Sequence, residues 1–136
     1  MKYLTEVLEE INADPKAINN YVNDQAVRIM LEYAFIPEKK LNLPEGDPPY
    51  REDAAPLGMS PVNLRMEMKK LYIFQRTDVK PLRLEQLFIE LLENVHPSEA
   101  KILLAIKDQK LNKLYKKVTR KVVEGAGIVP VLEKAK

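Results

Sequence analysis

Apolar residues recur along the chain at spacings of three and four, broken at intervals by proline, and that rhythm predicts helices rather than strands. Leu4, Val7, Leu8 and Ile11 share one face of a first short helix over residues 3–12. Asp14-Pro15 then reads as an N-cap followed by proline at the first helical position, where the missing N–H costs nothing. The stripe Ile18, Val22, Ala26, Ile29 and Tyr33 carries this second helix to Phe35. Ser60-Pro61 repeats the start signal; Met59 and Leu64 are spaced as a hydrophobic staple, and Met68, Leu71 and Tyr72 continue the stripe. Lys80-Pro81 opens a helix with Leu84, Leu87, Phe88, Leu91, Leu92 and Val95, the most apolar of the set and the expected centre of the core. His96-Pro97 starts the next, through Ala100, Leu103, Leu104 and Ile106. After a turn near Gln109, a last helix is predicted from Leu111 to Glu124, stopped by Gly125 and Gly127.

Residues 37–58 interrupt the pattern. Five prolines (Pro37, Pro44, Pro48, Pro49, Pro56) and two glycines exclude a helix through them. The stretch is longer than the roughly 12–15 residues beyond which structureless connections become uncommon. Pro48-Pro49 favours a stiff, extended polyproline conformation. Either Leu41, Leu43, Tyr50 and Leu57 pin this loop across the helices, or the loop is presented to a partner through Pro48, Pro49, Tyr50 and Arg51. The expected architecture is all-α: one domain over residues 1–136, an irregular bundle of about six helices with a single long Pro-rich loop.

Composition narrows the chemistry. The chain has 136 residues, 46% hydrophobic and 31% charged, which suits a globular protein with one ordinary core. No apolar run approaches the roughly 18 residues of a membrane span, and acids stand in MKYLTEVLEE where a signal peptide would be apolar. No membrane association is expected. The absence of cysteine excludes disulfides, thiolate metal sites and a cysteine nucleophile. The single histidine, His96, precedes Pro97 at a helix start, where capping is its expected work. Ser60 and Ser98 also sit at helix starts rather than in a nucleophile elbow. Glu6, Glu9 and Glu10 lie on a helix without the loop geometry calcium needs. Gly125 and Gly127 follow a helix, the wrong polarity for a phosphate loop. No enzyme, metal or cofactor is expected.

Charge adds one positive feature. Residues 1–58 carry 6 basic and 11 acidic side chains, whereas residues 101–136 carry 10 basic and 3 acidic. On the predicted last helix, Lys113, Lys116, Lys117, Arg120 and Lys121 recur at three and four and so share a face. Leu111, Leu114, Tyr115, Val118 and Val122 form the opposite side. A helix so built can track a phosphate backbone of DNA or RNA, releasing counterions at each contact. An acidic protein surface, including the chain's own acidic third, suits the same face.

The segments LNLPEGDPPYREDAAPLGMSP and LFIELLENVHPSEAKILLAIKDQKLNKLYKKVT resemble an uncharacterised domain family of tailed bacteriophages, especially T4-like phages and cyanophages. The resemblance covers nearly the whole chain, and the PEG-x-PPY and HPSEA-x-ILLA-x-KD stretches are its most distinctive pieces. It implies a phage accessory protein made in the cytoplasm of an infected bacterium, and it carries no catalytic role onto any residue. The leading expectation is a non-enzymatic protein that contacts nucleic acid or another polyanion through the basic last helix. The alternatives are a module that captures a host protein through loop 37–58, and a minor virion component.

Overall fold

Side chains that accept backbone N–H groups mark where several elements begin. The computed structural model describes residues 3–51 and 63–129, and among them it holds seven α-helices, three 3-10 segments and no strand. α1 (Leu4–Ala13) starts where the Glu6 carboxylate accepts the Tyr3 N–H at 2.9 Å, and it buries Leu4, Val7, Leu8 and Ile11. The Asp14 carboxylate accepts the Lys16 N–H at 3.2 Å and opens a 3-10 segment, Pro15–Tyr21.

The single helix predicted from Pro15 to Phe35 is therefore two elements. Asp24 ends the first and caps α2 (Gln25–Phe35) by accepting the Val27 N–H. A short acidic side chain that offers the backbone its own acceptor favours such a break. Arg65 Nη1 holds the same carboxylate at 2.7 and 2.8 Å, so the break is also a tertiary contact. Asn63 caps α3 (Leu64–Glu67), which runs into a 3-10 segment, Met68–Gln75. The Ser60-Pro61 start, the Met59 staple and Leu57 lie outside the described residues.

α4 (Pro81–Asn94) and α5 (Pro97–Lys107) start as expected, each with proline at its first position. His96 caps α5: its Nδ1 accepts the Ser98 N–H at 3.1 Å. The core, however, centres on α5 rather than α4. α4 buries only the Leu84, Phe88 and Leu92 stripe. α5 buries Ala100, Ile102, Leu103, Leu104 and Ile106 together with Glu99 and Lys107, and packs against α1, α2, α4 and the helix that follows it. A strongly amphipathic helix covers a core, whereas one apolar on nearly every side lies within it.

The predicted last helix is also divided, into α6 (Leu111–Leu114) and α7 (Arg120–Gly125). Tyr115 leaves helical conformation, and the Lys117 N–H goes to Asn12 Oδ1 at 2.8 Å. Val118 is fully buried, and the Thr119 hydroxyl caps α7 by accepting the Val122 N–H. The β-branched pair Val118-Thr119 and the Asn12 contact outcompete helix continuation. The glycine stop does hold. Gly127 has φ +78°, its N–H bonds Glu124 O, and the Ile128 N–H bonds Val123 O, a Schellman closure over two buried apolar side chains.

Candidate functional site

The described part of the Pro-rich loop is tied at successive points to the 3-10 segment Met68–Gln75, to α5 and to α4. After α2 it makes a 3-10 turn, Pro37–Lys39, and Leu41 then enters the core at 3% exposure. The Asn42 N–H donates to Phe74 O at 2.8 Å, and Gln75 Nε2 donates back to Glu38 O and Lys40 O. Leu43 and Tyr50 pack partly buried against the core, and the Arg51 N–H donates to Glu93 Oε2 at 2.9 Å. Residues 37–51 are thus pinned rather than loose, through Leu41, Leu43 and Tyr50 as one of the two sequence readings requires.

The centre of the loop is held by two residues at the end of α5. Lys107 is 1% exposed, and its Nζ donates to Pro44 O and to Asp108 Oδ1, both at 2.7 Å. The second Asp108 oxygen accepts the Gly46 N–H at 3.3 Å. Gly46 has φ +91° with open space where a Cβ would stand, so the turn itself requires glycine. Burying an ammonium is costly unless it is paired and its donors are used. Here two of its three N–H groups are engaged by groups that simultaneously fix the loop. A half-open pocket of about 210 Å³ is lined by residues 43–49 together with Glu85, Phe88 and Lys107.

This clamp joins the two stretches that stand out in the sequence, PEG-x-PPY and the KD that follows ILLAI. The contact was not legible in the pattern, because an α5 lysine reads as a solvated face. The only hint is that Lys107 follows the apolar run ILLAI on α5. Of the loop residues singled out, Pro49 and Arg51 are exposed, while Pro48 and Tyr50 are half-buried.

The basic residues are not brought onto one helical face. Lys113 sits on α6, Lys116 and Lys117 in the bend, and Arg120 and Lys121 on α7. Arg120 is engaged: its Nε lies 2.6 Å from Glu124 Oε2, and its Nη1 donates to Phe35 O. The continuous cationic helix expected from the sequence is absent, because the chain bends where Val118 turns into the core.

One buried carboxyl lies between helix starts. Glu99, 2% exposed, accepts the Leu64 N–H at 3.3 Å through Oε1 and bonds the His96 backbone, while its Oε2 has no partner among the described residues. Burial raises its pKa above the usual carboxylate value; the two backbone bonds oppose that shift. A carboxyl raised in the folded state binds its proton more tightly there than in the unfolded chain. The resulting stability is complete at acid pH and is lost as pH climbs through the raised folded value. Glu99→Gln keeps an acceptor but cannot ionise. Its stability relative to the parent is therefore expected to improve from about pH 4 to pH 7 in urea melts at the two pH values. An unchanged difference would show that Glu99 ionises freely.

Among the described residues no group of three or more acidic or histidine side chains could hold a metal ion, and no helix is long and apolar enough to cross a membrane. Residues 7–113 match a family of unknown function (DUF6433). No curated protein and no solved structure matches the chain.

Proposed function

The chain belongs to the DUF6433 family, whose function is unknown, and on that footing we propose that it is a non-enzymatic protein-interaction module presenting residues 44–51 to a protein partner. The observation that supports this reading is the Lys107–Asp108 clamp on Pro44 and Gly46. It holds an exposed, proline-rich segment in one conformation with its neighbouring backbone groups bonded inward. A segment already ordered before binding loses little entropy on capture, and extended proline segments are recognised by aromatic-lined grooves. Pro49 and Arg51 face solvent beside exposed Glu45 and Asp47, so the displayed surface combines proline rings with charge. The proposal extends to context: a phage accessory protein that captures a host protein in the bacterial cytoplasm. The division of the basic helix removes the geometric ground for preferring a polyanion.

The test is affinity capture from bacterial host lysate treated with nuclease, comparing the parent with Pro48→Ala/Pro49→Ala/Arg51→Ala. A partner that survives nuclease and falls at least about tenfold in the triple variant is expected, given interface hot spots of about 1–2 kcal/mol each. Equal retention by the variant, or loss of the partner on nuclease treatment, would reject the reading.

A further inference from the structure

We infer that the angle between α5 and α6 is a docking hollow for an acidic peptide segment that carries an apolar side chain. Lys101, Leu104, Ala105 and Asp108 stand at i, i+3, i+4 and i+7 on one side of α5. Lys110, Lys113 and Leu114 stand at i, i+3 and i+4 on α6 and its cap. Gln109, at φ 54°, turns the chain sharply between them; its N–H bonds Ile106 O, and the Lys110 N–H bonds Ala105 O. Its side-chain amide reaches across to Tyr33 O and Ile36 O at 3.2 and 2.7 Å, so the angle is anchored on the end of α2. The named α5 and α6 side chains, with Asp47 of the loop, line a shallow, open hollow of about 350 Å³.

The chemistry of the lining selects the occupant. Leu104 and Ala105 form an apolar floor, and Leu114, 41% exposed, is an uncovered apolar wall. Three lysines surround that floor. Lys101 and Lys113 make no ion pair with any described residue, and Lys110 has only Glu45, at 3.9 Å between exposed groups. Two carboxylates border the hollow on the loop side. Asp108 is already occupied by Lys107 and the Gly46 N–H, and Asp47 is exposed. A phosphate backbone gains nothing from the leucine wall, whereas Asp47 opposes any anionic occupant alike. A segment with one apolar side chain flanked by glutamate or aspartate satisfies both the floor and the lysines. The hollow shares Asp47 and Asp108 with the displayed loop and its clamp but not Pro48, Pro49 or Arg51, so loop variants at Pro48 and Pro49 separate the two readings.

The test is fluorescence anisotropy with a labelled peptide of glutamates carrying a leucine at every fourth position. An all-glutamate peptide and a single-stranded oligonucleotide serve as competitors. Saturable binding is expected, weakened about tenfold by Lys101→Glu/Lys113→Glu and about fivefold by Leu114→Ser. Asp47→Asn should tighten it, whereas Lys69→Glu, on another element, and Pro48→Ala/Pro49→Ala should leave it unchanged. Absence of binding, equal competition by the all-glutamate peptide, or preference for the oligonucleotide would each overturn the inference. So would self-association in sedimentation that the same lysine variants abolish, since a second copy would then be the occupant.

Discussion

Lys107→Met is expected to destabilise the fold by about 3–5 kcal/mol and to release residues 44–46 from α5. Methionine keeps the unbranched stem in its buried channel and removes only the ammonium. Pro44 O then has no donor from α5, and Asp108, itself largely shielded, loses the cation at 2.7 Å, so the Gly46 N–H contact is weakened with it. Breaking one partner of a buried pair leaves an uncompensated charge, which is why the effect exceeds that of an exposed ion pair. The double variant Lys107→Met/Asp108→Asn should recover part of the loss, because the orphaned charge is then gone. Urea unfolding gives the stability, and amide exchange at Gly46 reports the loop. A loss below about 1 kcal/mol, with Gly46 still protected, would mean that the clamp holds nothing.

Phe88→Ala should cost a comparable amount, about 3–5 kcal/mol, by a different route. Phe88 is 1% exposed, meets Phe74 edge-to-face with centroids 5.5 Å apart, and lines the pocket against the loop. Truncation removes buried apolar surface and joins a new void to an existing one, so the neighbourhood has little means to collapse. Phe88→Leu should lose less, about 1–1.5 kcal/mol. The two sites are distinguishable. The Phe88 variant should unfold at lower urea with Gly46 still protected in the native state, whereas the Lys107 variant should lose Gly46 protection before it unfolds. Identical exchange behaviour in both would deny the clamp a role separate from the core.

Local chemistry carried most of the element boundaries. Proline after Asp14, Lys80 and His96 placed three starts, and Gly127 placed the final stop. In each case the signal is one residue's backbone geometry and needs no knowledge of the rest of the chain. The errors share a cause as well. Helix periodicity ran unbroken through Asp24 and through Val118-Thr119, yet both places are bends. Asp24 is claimed by Arg65, forty-one positions away, and Lys117 by Asn12, more than a hundred away. The core's centre was misplaced because the α4 stripe is vivid in a pattern, while the buried ILLAI of α5 has no polar face to reveal its period.

Taken alone, the sequence determined an all-α chain and the loop's departure from helix, and it named Leu41, Leu43 and Tyr50 as anchors under one of two readings. It did so because capping, proline and hydrophobic spacing act over a few residues. Tertiary structure alone decided which charges are free and which are spent. Lys107 became a buried clamp, Arg120 was consumed by Glu124 and Phe35, and Lys113 joined Lys101 and Lys110 around a hollow. A charged side chain's role depends on what lies within a few ångströms of its tip, and distant parts of the chain supply those neighbours.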